Sequence, residues 1–314
     1  MKKNIFIDGE VGTTGLQVHE KLRQHPNVNI LPVDYAKRKD PSYKRQMLEA
    51  SDVTFLCLPD DSAIETAKIA DELDNKSPII IDASTVHRTN PNWSYGLPEL
   101  GPNYRNRIVD SKRIAVPGCY ATGANVIIKP LLESKLISPN QPLVINAVSG
   151  YSGGGKELIS YFNEKDHAPQ FNYGLKFDHK HLPEIKFHNN LEFNPIFSPS
   201  VGDFIQGMIV SIPIHFTWFV PPINTKKIQS VMEEFYLDSQ FIKVLEKNEG
   251  LNSKGHLRPD NLVDTNLLDI NIFGNDANEQ IVICSRLDNL GKGASGAAVQ
   301  CMNIALGYDE KIGL

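Results

Sequence analysis

The sequence predicts an α/β protein in which a doubly wound parallel sheet is followed by an α+β domain with a mixed sheet. Three observations support this fold class. Short β-branched runs alternate with amphipathic segments in the first third of the chain, which is typical of βαβ units. A glycine-rich turn directly follows the first of these runs. From residue 143 onward the strand-like runs are longer and fewer helices separate them, which favours a mixed or antiparallel sheet.

The elements of the first part follow from this alternation. Helix 62–73 is the clearest, because its apolar residues approach the i, i+3/i+4 spacing of one helix face. The predicted strands span residues 5–8, 29–33, 53–58, 79–82 and 114–116. The predicted helices span residues 13–24, 43–50 and 62–73.

The second part begins with a helix just after Cys119, because apolar residues from Ala124 to Leu136 repeat on one helix face. A short helix over 157–162 follows a glycine-rich stretch, and a last helix over 294–306 closes the chain. The predicted strands of this part span residues 143–148, 205–215, 267–273 and 280–286.

Composition restricts the possible functions. The chain has 314 residues, of which 41% are hydrophobic, which suits two domains with substantial cores. A net charge of −5 without a long basic run argues against nucleic acid or an anionic membrane as partner and favours small molecules. The first apolar run, Ile5-Phe6-Ile7, is too short for an export signal, and no stretch approaches a membrane span. Four cysteines without a CxxC pair suit a cytoplasmic protein and argue against structural zinc.

Three glycines stand three residues apart at the first strand-to-helix turn: Gly9, Gly12 and Gly15. Such spacing permits a tight turn and presents the N–H groups of a helix N-terminus to a pyrophosphate. The pattern is GxxGxxG rather than the commoner GxGxxG, and a glycine-rich turn without a ligand is the alternative. Its place at the first βα turn favours a dinucleotide cofactor.

The choice between two cofactors stays open on the residues alone. Asp34, after the second predicted strand, stands where an acidic residue would bind the ribose 2′-hydroxyl of NAD. The basic run 37–39 that follows could instead bind the 2′-phosphate of NADP, or be a solvated loop. Asp8 and Glu10 flank the first glycine, so a negative charge beside the pyrophosphate would weaken cofactor binding unless it faces away.

Cys119 is the candidate nucleophile. It follows Pro117-Gly118 at the first turn of a predicted helix, where free N–H groups and the helix dipole favour a thiolate and could stabilise an oxyanion. The other cysteines lie inside apolar runs and are predicted to be ordinary core thiols: Cys57, Cys284 and Cys301.

A thiolate nucleophile needs a proton carrier, and the segment His179-Lys180-His181-Leu182-Pro183-Glu184 supplies two histidines. If the segment is extended, both histidines point to the same side, so one could act as acid or base and the other could bind substrate. Structural histidines are the alternative. We expect no metal site, because no cysteine or carboxylate stands beside them at ligand spacing.

Two further features suit an anionic substrate. The stretch from Ser149 to Lys156 contains four glycines and Ser152, and its backbone amides could hold a phosphate or carboxylate. A flexible turn without a ligand would have the same composition. Arg88 is either an anion clamp or a surface charge.

Together these motifs resemble the N-acetyl-γ-glutamyl-phosphate reductase family of arginine biosynthesis, in its shorter form. The resemblance runs along the whole chain, and the motifs occur in the family's order. Its anchors are segments 9–15, 82–88, 95–99, 117–123, 149–155, 179–185 and 291–297.

The resemblance implies a fold like that of the semialdehyde dehydrogenases, with a Rossmann-like NADP-binding domain over 1–117 that a C-terminal helix in 290–314 completes. The catalytic domain then covers 118–289. It also implies NADP(H) as cofactor and a homo-oligomer, dimer or tetramer. The implied catalytic residues are Cys119 with His179, which we favour, or His181. The implied cofactor-binding residues are Gly9, Gly12, Thr13, Thr14, Gly15, Lys37, Arg38, Ser84 and Gly293. The implied substrate-binding residues are Arg88, Ser149, Gly150, Ser152 and Glu184.

The reaction implied is the NADPH-dependent reduction of N-acetylglutamyl phosphate to the semialdehyde and phosphate, through a thioester on Cys119. Two alternatives remain. One is an aspartate-semialdehyde dehydrogenase, against which the HxHxPE segment at His179 argues. The other is a non-catalytic NADP-binding regulator, in which Cys119 would be inert.

Overall fold

The computed structural model describes residues 2–314 and divides into two compact units. One unit contains the chain up to Gly118 together with Ala294–Leu314, and the other contains Cys119–Gly293. Among the described residues, no helix is long and apolar enough to cross a membrane.

The first unit is built on a parallel sheet. Its strands, within residues 2–314, are β1 (Lys3–Asp8), β2 (Val28–Ile30), β3 (Val53–Leu56), β4 (Ile79–Asp82), β5 (Ser94–Tyr95) and β6 (Arg113–Ala115). They lie in the order β2-β1-β3-β4-β6-β5, and every neighbouring pair is parallel. The order reverses direction at β1, so the turn after β1 opens at the switch point where such sheets bind ligands.

Helices cover both faces of this sheet. They are α1 (Thr13–Arg23), α2 (Pro41–Ala50), α3 (Asp60–Asp71) and α4 (Pro102–Asp110). Helix α2 begins two residues before the predicted start, because Asp40 accepts a hydrogen bond from the Ser42 amide at 2.8 Å and Pro41 suits the first helical position. Helix α4 was not predicted from the sequence, because Ile108 is its one buried residue and no apolar stripe is visible.

The second unit is built on a mixed sheet, as predicted. Its strands, among the described residues, are β7 (Val144–Gly150), β8 (Gln170–Asn172), β9 (Ile196–Gly202), β10 (Met208–His215), β11 (Ile242–Val244), β12 (Leu268–Asn275) and β13 (Gln280–Leu287). Their order is β11-β12-β13-β10-β7-β9-β8, with β7–β9 and β11–β12 parallel and the other pairs antiparallel. The predicted strand 205–215 starts only at Met208, because Gly207 turns the chain with a φ of +100°.

Helix α5 (Cys119–Glu133) lies directly on this sheet. The other helices of the unit are α6 (Gly155–Phe162), α7 (Leu182–Asn189) and α8 (Thr225–Phe235). A Cβ on Gly123 would lie 2.7 Å from both Ser285 Oγ and Val210 Cγ2, so only glycine allows α5 to approach β10 and β13 this closely. Ser285 Oγ donates to the Gly123 carbonyl at 2.8 Å. This packing fixes the helix whose first residue is Cys119.

The last helix, α9 (Gly296–Ala305), belongs to the first unit and follows a π-helical turn over Gly291–Ser295. Almost all of α9 is buried in the core on one face of the parallel sheet, with Ile5 and Phe55. A second core on the other face contains Phe6 and Leu56. Consecutive residues of β1 and of β3 therefore alternate between the two cores, as expected for a sheet that is covered on both faces.

Candidate active site

The glycine turn after β1 is tight, and two of its positions leave no room for a side chain. Gly9 has a φ of +92°, and a Cβ there would collide with the Cys57 carbonyl oxygen. A Cβ on Gly15 would collide with the Gly9 carbonyl oxygen. Helix α1 begins after Gly12 with Thr13, and no side chain caps its first N–H groups. These groups fit a dinucleotide phosphate, which helix N-termini bind well.

The charge of Asp8, which would weaken pyrophosphate binding if it faced the turn, is paired inside the protein. Its carboxylate is buried and lies 2.9 Å from Lys44 Nζ, with Thr66 Oγ1 donating to it at 3.2 Å. Lys44 Nζ also donates to Thr66 Oγ1 at 2.9 Å. The negative charge therefore points towards α2 and α3 and is paired there.

This ion pair gives a stability prediction. We expect Lys44→Met to lower the free energy of unfolding by about 3 kcal/mol, because Asp8 would be left buried with its charge uncompensated. The double variant Lys44→Met with Asp8→Asn should regain most of that loss. Urea denaturation of wild type, both single variants and the double variant measures the coupling. Additive losses in the double variant would show that the two side chains do not compensate each other.

The loop after β2 holds the residues that bear on the choice of cofactor. Asp34 turns towards its own loop: its Oδ1 accepts from the Ala36 amide at 3.0 Å, and its Oδ2 lies 3.4 Å from Lys37 Nζ. The Arg38 guanidinium lies over the Tyr35 ring, 3.6 Å from the centroid. Lys37 and Arg38 are thus held on an exposed loop that follows β2.

Ser84 and Arg88, predicted to bind cofactor and substrate, make contacts inside the first unit. Ser84 Oγ donates to Asp82 Oδ2 at 2.6 Å, and His87 Nδ1 lies 2.7 Å from the same oxygen. The buried Arg88 donates through Nε to the Val116 carbonyl at 2.9 Å and through Nη2 to the Ala83 carbonyl at 3.1 Å. These bonds fix the main chain after β4 and β6.

Cys119 differs from the other cysteines in its surroundings. Like Cys57 it is half-buried, but it stands at the first residue of α5, and a Cβ on Gly293 would lie 2.7 Å from the Cys119 Cβ. Burial raises the pKa of Cys57 to about 12 and also raises the pKa of Cys284, and Cys301 is fully buried. These three thiols are therefore poor nucleophiles, as expected of core thiols.

The segment of His179 and His181 is a turn, so the extended conformation considered for it does not occur. The Leu182 amide donates to the His179 carbonyl at 2.9 Å, and His181 has helical φ and ψ of −89° and −11°, because helix α7 begins there. The two rings nevertheless lie together, with centroids 4.8 Å apart. Both pack against Tyr120, at 5.7 and 5.8 Å, and Tyr120 is the residue after Cys119.

The surroundings of His179 keep its ring neutral. Burial and, secondarily, the Lys180 charge lower the pKa of His179 to about 4. Its Nδ1 accepts from the His181 amide at 3.1 Å, which leaves the proton of the neutral ring on Nε2, 3.3 Å from the Tyr173 hydroxyl. Burial also raises the pKa of Tyr173 to about 12. His179 is therefore a neutral donor at Nε2 near pH 7.

The lowered pKa of His179 makes stability depend on pH. Between pH 6.5 and about 4 the unfolded chain binds a proton on His179 that the folded protein does not, so the free energy of unfolding falls as the pH falls through that window. We expect a loss of about 1 to 2 kcal/mol, discounted for partial exposure, that His179→Gln removes. Urea denaturation at pH 7 and pH 4.5 measures it. An identical pH dependence in the variant would contradict the assignment.

The glycine-rich loop after β7 is held by buried polar contacts within the second unit. Ser149 and Ser152 are both buried. A Cβ on Gly150 would lie 2.6 Å from the Gln206 amide nitrogen, so the loop packs closely on the turn before β10. Ser152 Oγ accepts from Asn289 Nδ2 at 3.1 Å. Glu184, in the first turn of α7, is also buried.

Sequence reasoning missed three residues of this region. Tyr120 packs on both histidines, Tyr173 lies at His179 Nε2, and Asn289 contacts the glycine-rich loop. The sequence signal for Tyr120 is its position directly after the candidate nucleophile Cys119. Tyr173 and Asn289 have no local pattern, because only the tertiary fold brings them to the site.

Comparisons with known proteins agree with the motifs. Residues 4–108 match the family "Semialdehyde dehydrogenase, NAD binding domain", and residues 119–289 match "Semialdehyde dehydrogenase, dimerisation domain". The N-acetyl-gamma-glutamyl-phosphate reductase of Brucella anthropi is 40% identical over 98% of this chain and 99% of its own. The chain belongs to this reductase family. The family resemblance inferred from the motifs is therefore confirmed, and the first unit is a nicotinamide-dinucleotide-binding domain.

Other relatives support the same assignment. N-acetyl-gamma-glutamyl-phosphate reductase 2 of Nostoc sp. is 41% identical over 100% of this chain and 99% of its own. Aspartate semialdehyde dehydrogenase II of Vibrio cholerae has a TM-score of 0.70 at 15% identity, covering 98% of this chain and 99% of its own. The Candida albicans aspartate semialdehyde dehydrogenase solved with NADP has a TM-score of 0.66 at 14% identity, covering 97% and 98%. These structures confirm the predicted fold class.

Proposed function

We propose that the chain reduces N-acetyl-L-glutamyl 5-phosphate to N-acetyl-L-glutamate 5-semialdehyde, with NADPH as reductant and phosphate as the second product. The observation that carries the proposal is Cys119, half-buried at the first residue of α5, in a chain whose reductase relatives match it over its full length. The thiol at that position lies at a helix N-terminus, where the helix dipole favours a thiolate and backbone amides can stabilise an oxyanion.

In the first step the Cys119 sulfur attacks the acyl carbon. The carbon–sulfur bond forms, the bond to the phosphate oxygen breaks, and phosphate leaves, so that a thioester on Cys119 remains. The reduced nicotinamide, when bound, supplies a hydride. The resulting thiohemiacetal releases the semialdehyde when its carbon–sulfur bond breaks and the thiolate is regenerated.

A histidine stabilises the negative charge that these steps develop on the substrate oxygen. His179 holds its proton on Nε2, and His181 lies beside it against Tyr120. We assign this role to the pair and keep His179 as the favoured residue, because its neutral imidazole donates a hydrogen bond from Nε2 to the oxyanion. That oxyanion needs no net proton, since its oxygen becomes the aldehyde carbonyl when the carbon–sulfur bond breaks. His181 then orients the substrate.

The remaining predicted residues bind the two ligands. Gly9, Gly12 and Gly15 form the pyrophosphate cradle, together with the amides of Thr13 and Thr14, and Ser84 and Gly293 complete the cofactor-binding set. The predicted substrate residues are Arg88, Ser149, Gly150, Ser152 and Glu184.

Lys37 and Arg38 bind the 2′-phosphate and make NADPH the preferred cofactor. Support comes from Asp34, whose carboxylate is already bonded to the Ala36 amide and paired with Lys37. An NAD-specific protein would need that carboxylate for the ribose 2′-hydroxyl. We assign cofactor binding to residues 1–117 with 290–314 and the chemistry to residues 118–289, the division that the sequence predicts. The family description "dimerisation domain" for 119–289 supports a homo-oligomer.

The proposal is tested by the reverse reaction. Reduction of NADP and of NAD is followed with phosphate and either N-acetylglutamate semialdehyde or aspartate semialdehyde. We expect phosphate-dependent reduction of NADP with the acetylated substrate. Preference for aspartate semialdehyde would refute the substrate, preference for NAD would refute the cofactor, and no reduction with either substrate would refute the reaction.

A further inference from the structure

Asp288, the residue after β13, is a buried carboxylate that joins three segments of the second unit. Its Oδ1 accepts from the Leu290 amide at 2.9 Å, within its own turn. Its Oδ2 accepts from the Asp264 amide at 2.8 Å and from Gln206 Nε2 at 2.6 Å. The side chain is 1% exposed, so these bonds form away from water, where hydrogen bonds to a charged acceptor are strongest.

The turn that begins at Asp288 lies beside Cys119. The Gly293 amide donates to the Asp288 carbonyl at 2.9 Å, so main chain and carboxylate together fix the turn from 288 to 293. At its end Gly293 contacts Cys119, because a Cβ on Gly293 would lie 2.7 Å from the Cys119 Cβ and 3.3 Å from its Cα. Any shift of this turn therefore moves Cys119 or opens a gap beside it.

The same carboxylate also holds the glycine-rich loop. Gln206, which it fixes, lies under Gly150: a Cβ on Gly150 would lie 2.6 Å from the Gln206 amide nitrogen. The next residue, Asn289, accepts from the Gly207 amide at 2.8 Å and donates to Ser152 Oγ at 3.1 Å. Residues 288–293 thus contact both Cys119, through Gly293, and the glycine-rich loop that is predicted to hold the substrate, through Asn289.

We propose that Asp288 is a positioning residue that sets the Cys119 thiol in its place relative to the glycine-rich loop 149–155. The proposal rests on the proposed role of Cys119 as nucleophile. A carboxylate is required because both of its oxygens face N–H donors. An asparagine would turn its own NH₂ group towards either the Leu290 amide or the pair from Asp264 and Gln206, and would leave buried donors unsatisfied.

The test compares Asp288→Asn with Gln206→Ala, which removes one donor, and with Asp238→Asn, an exposed carboxylate between α8 and β11 as control. For each protein we would measure alkylation of Cys119 by iodoacetamide from pH 6 to 9 with peptide mapping, kcat and KM, and the Kd for NADPH. Circular dichroism reports whether each variant folds. The alkylation rate reports the position of the thiol independently of substrate.

We expect Asp288→Asn to lose about 100-fold in kcat and about tenfold in the alkylation rate of Cys119, with the Kd for NADPH within about twofold of wild type, since small misplacements of a reacting group are costly. Gln206→Ala should change both rates in the same direction by about threefold, and Asp238→Asn should match wild type. If Asp288→Asn does not fold, Gln206→Ala tests the proposal in its place.

Three outcomes overturn the proposal. Wild-type alkylation and turnover in the folded Asp288→Asn variant would do so, and so would wild-type rates in Gln206→Ala when Asp288→Asn does not fold. A loss of kcat with an unchanged alkylation profile would show that Asp288 does not act through the position of the Cys119 thiol, and would also overturn the proposal. If Cys119 of the wild-type enzyme is not alkylated selectively, the proposed function fails first, and the two failures are thereby distinguished.

Discussion

We expect the Cys119→Ser variant to bind NADPH as wild type does and to lose about 10⁴-fold or more in kcat, as nucleophile replacements commonly do. A serine hydroxyl at this position is not ionised near neutral pH, and the neutral His179 ring, whose pKa is lowered to about 4, is too weak a base to activate it. Cofactor binding should persist because the glycine turn lies in the other unit. Fluorescence titration with NADPH and the reverse assay measure the two quantities.

The matched control is Cys284→Ala, which removes a buried thiol of the same unit from β13. This variant should keep kcat within about threefold of wild type, because the thiol it removes has a pKa raised by burial and takes no part in the chemistry. Full activity of Cys119→Ser, or equal loss in both variants, would contradict the mechanism.

The Gly293→Ala variant should lose about 100-fold in kcat, because its new methyl group would lie 2.7 Å from the Cys119 Cβ and 3.1 Å from the Asp288 carbonyl oxygen. Neither neighbour is the end of a flexible side chain, so Cys119 or the turn must shift. The alkylation rate of Cys119 should change with kcat, whereas the Kd for NADPH should change much less.

Gly255→Ala is the control for adding a methyl group in the same unit. A Cβ on Gly255 would have no atom within 4 Å, but the residue has a φ of +77°, so alanine there should cost about 1 kcal/mol of stability through backbone strain and leave kcat unchanged. Wild-type turnover in Gly293→Ala would show that the contact with Cys119 tolerates displacement.

Much of the fold was predictable because local patterns determine it. Strand β4 has the predicted bounds, and α1 begins at the predicted residue, since βαβ alternation and a glycine turn are visible in short windows. Helix α7 was missed because its apolar residues do not gather on one face, and α4 because it buries little. Strand β2, the edge strand beside β1, ends at Ile30, earlier than predicted.

The features of the proposed site that are visible in the sequence are those in which chemistry and sequence spacing coincide. The glycines of the first turn and Cys119 at a helix start are local signals. By contrast, Lys44 neutralises Asp8 from a different helix, and the Asp288 carbonyl accepts from the amide of Gly293, which packs against Cys119 although the two are far apart in sequence. Such partners are selected by tertiary packing, and a buried carboxylate or lysine carries no mark in the sequence that distinguishes it from a surface charge.

The most direct test of the mechanism is to mix the enzyme with N-acetylglutamyl phosphate in the absence of reduced cofactor and to measure phosphate release and acylation. The thioester mechanism predicts a burst of one phosphate per active site, with the acyl group mapped to the peptide of Cys119, and semialdehyde formation when NADPH is then added. Absence of the burst, or an acyl group on any other residue, would contradict the central claim that Cys119 carries the substrate.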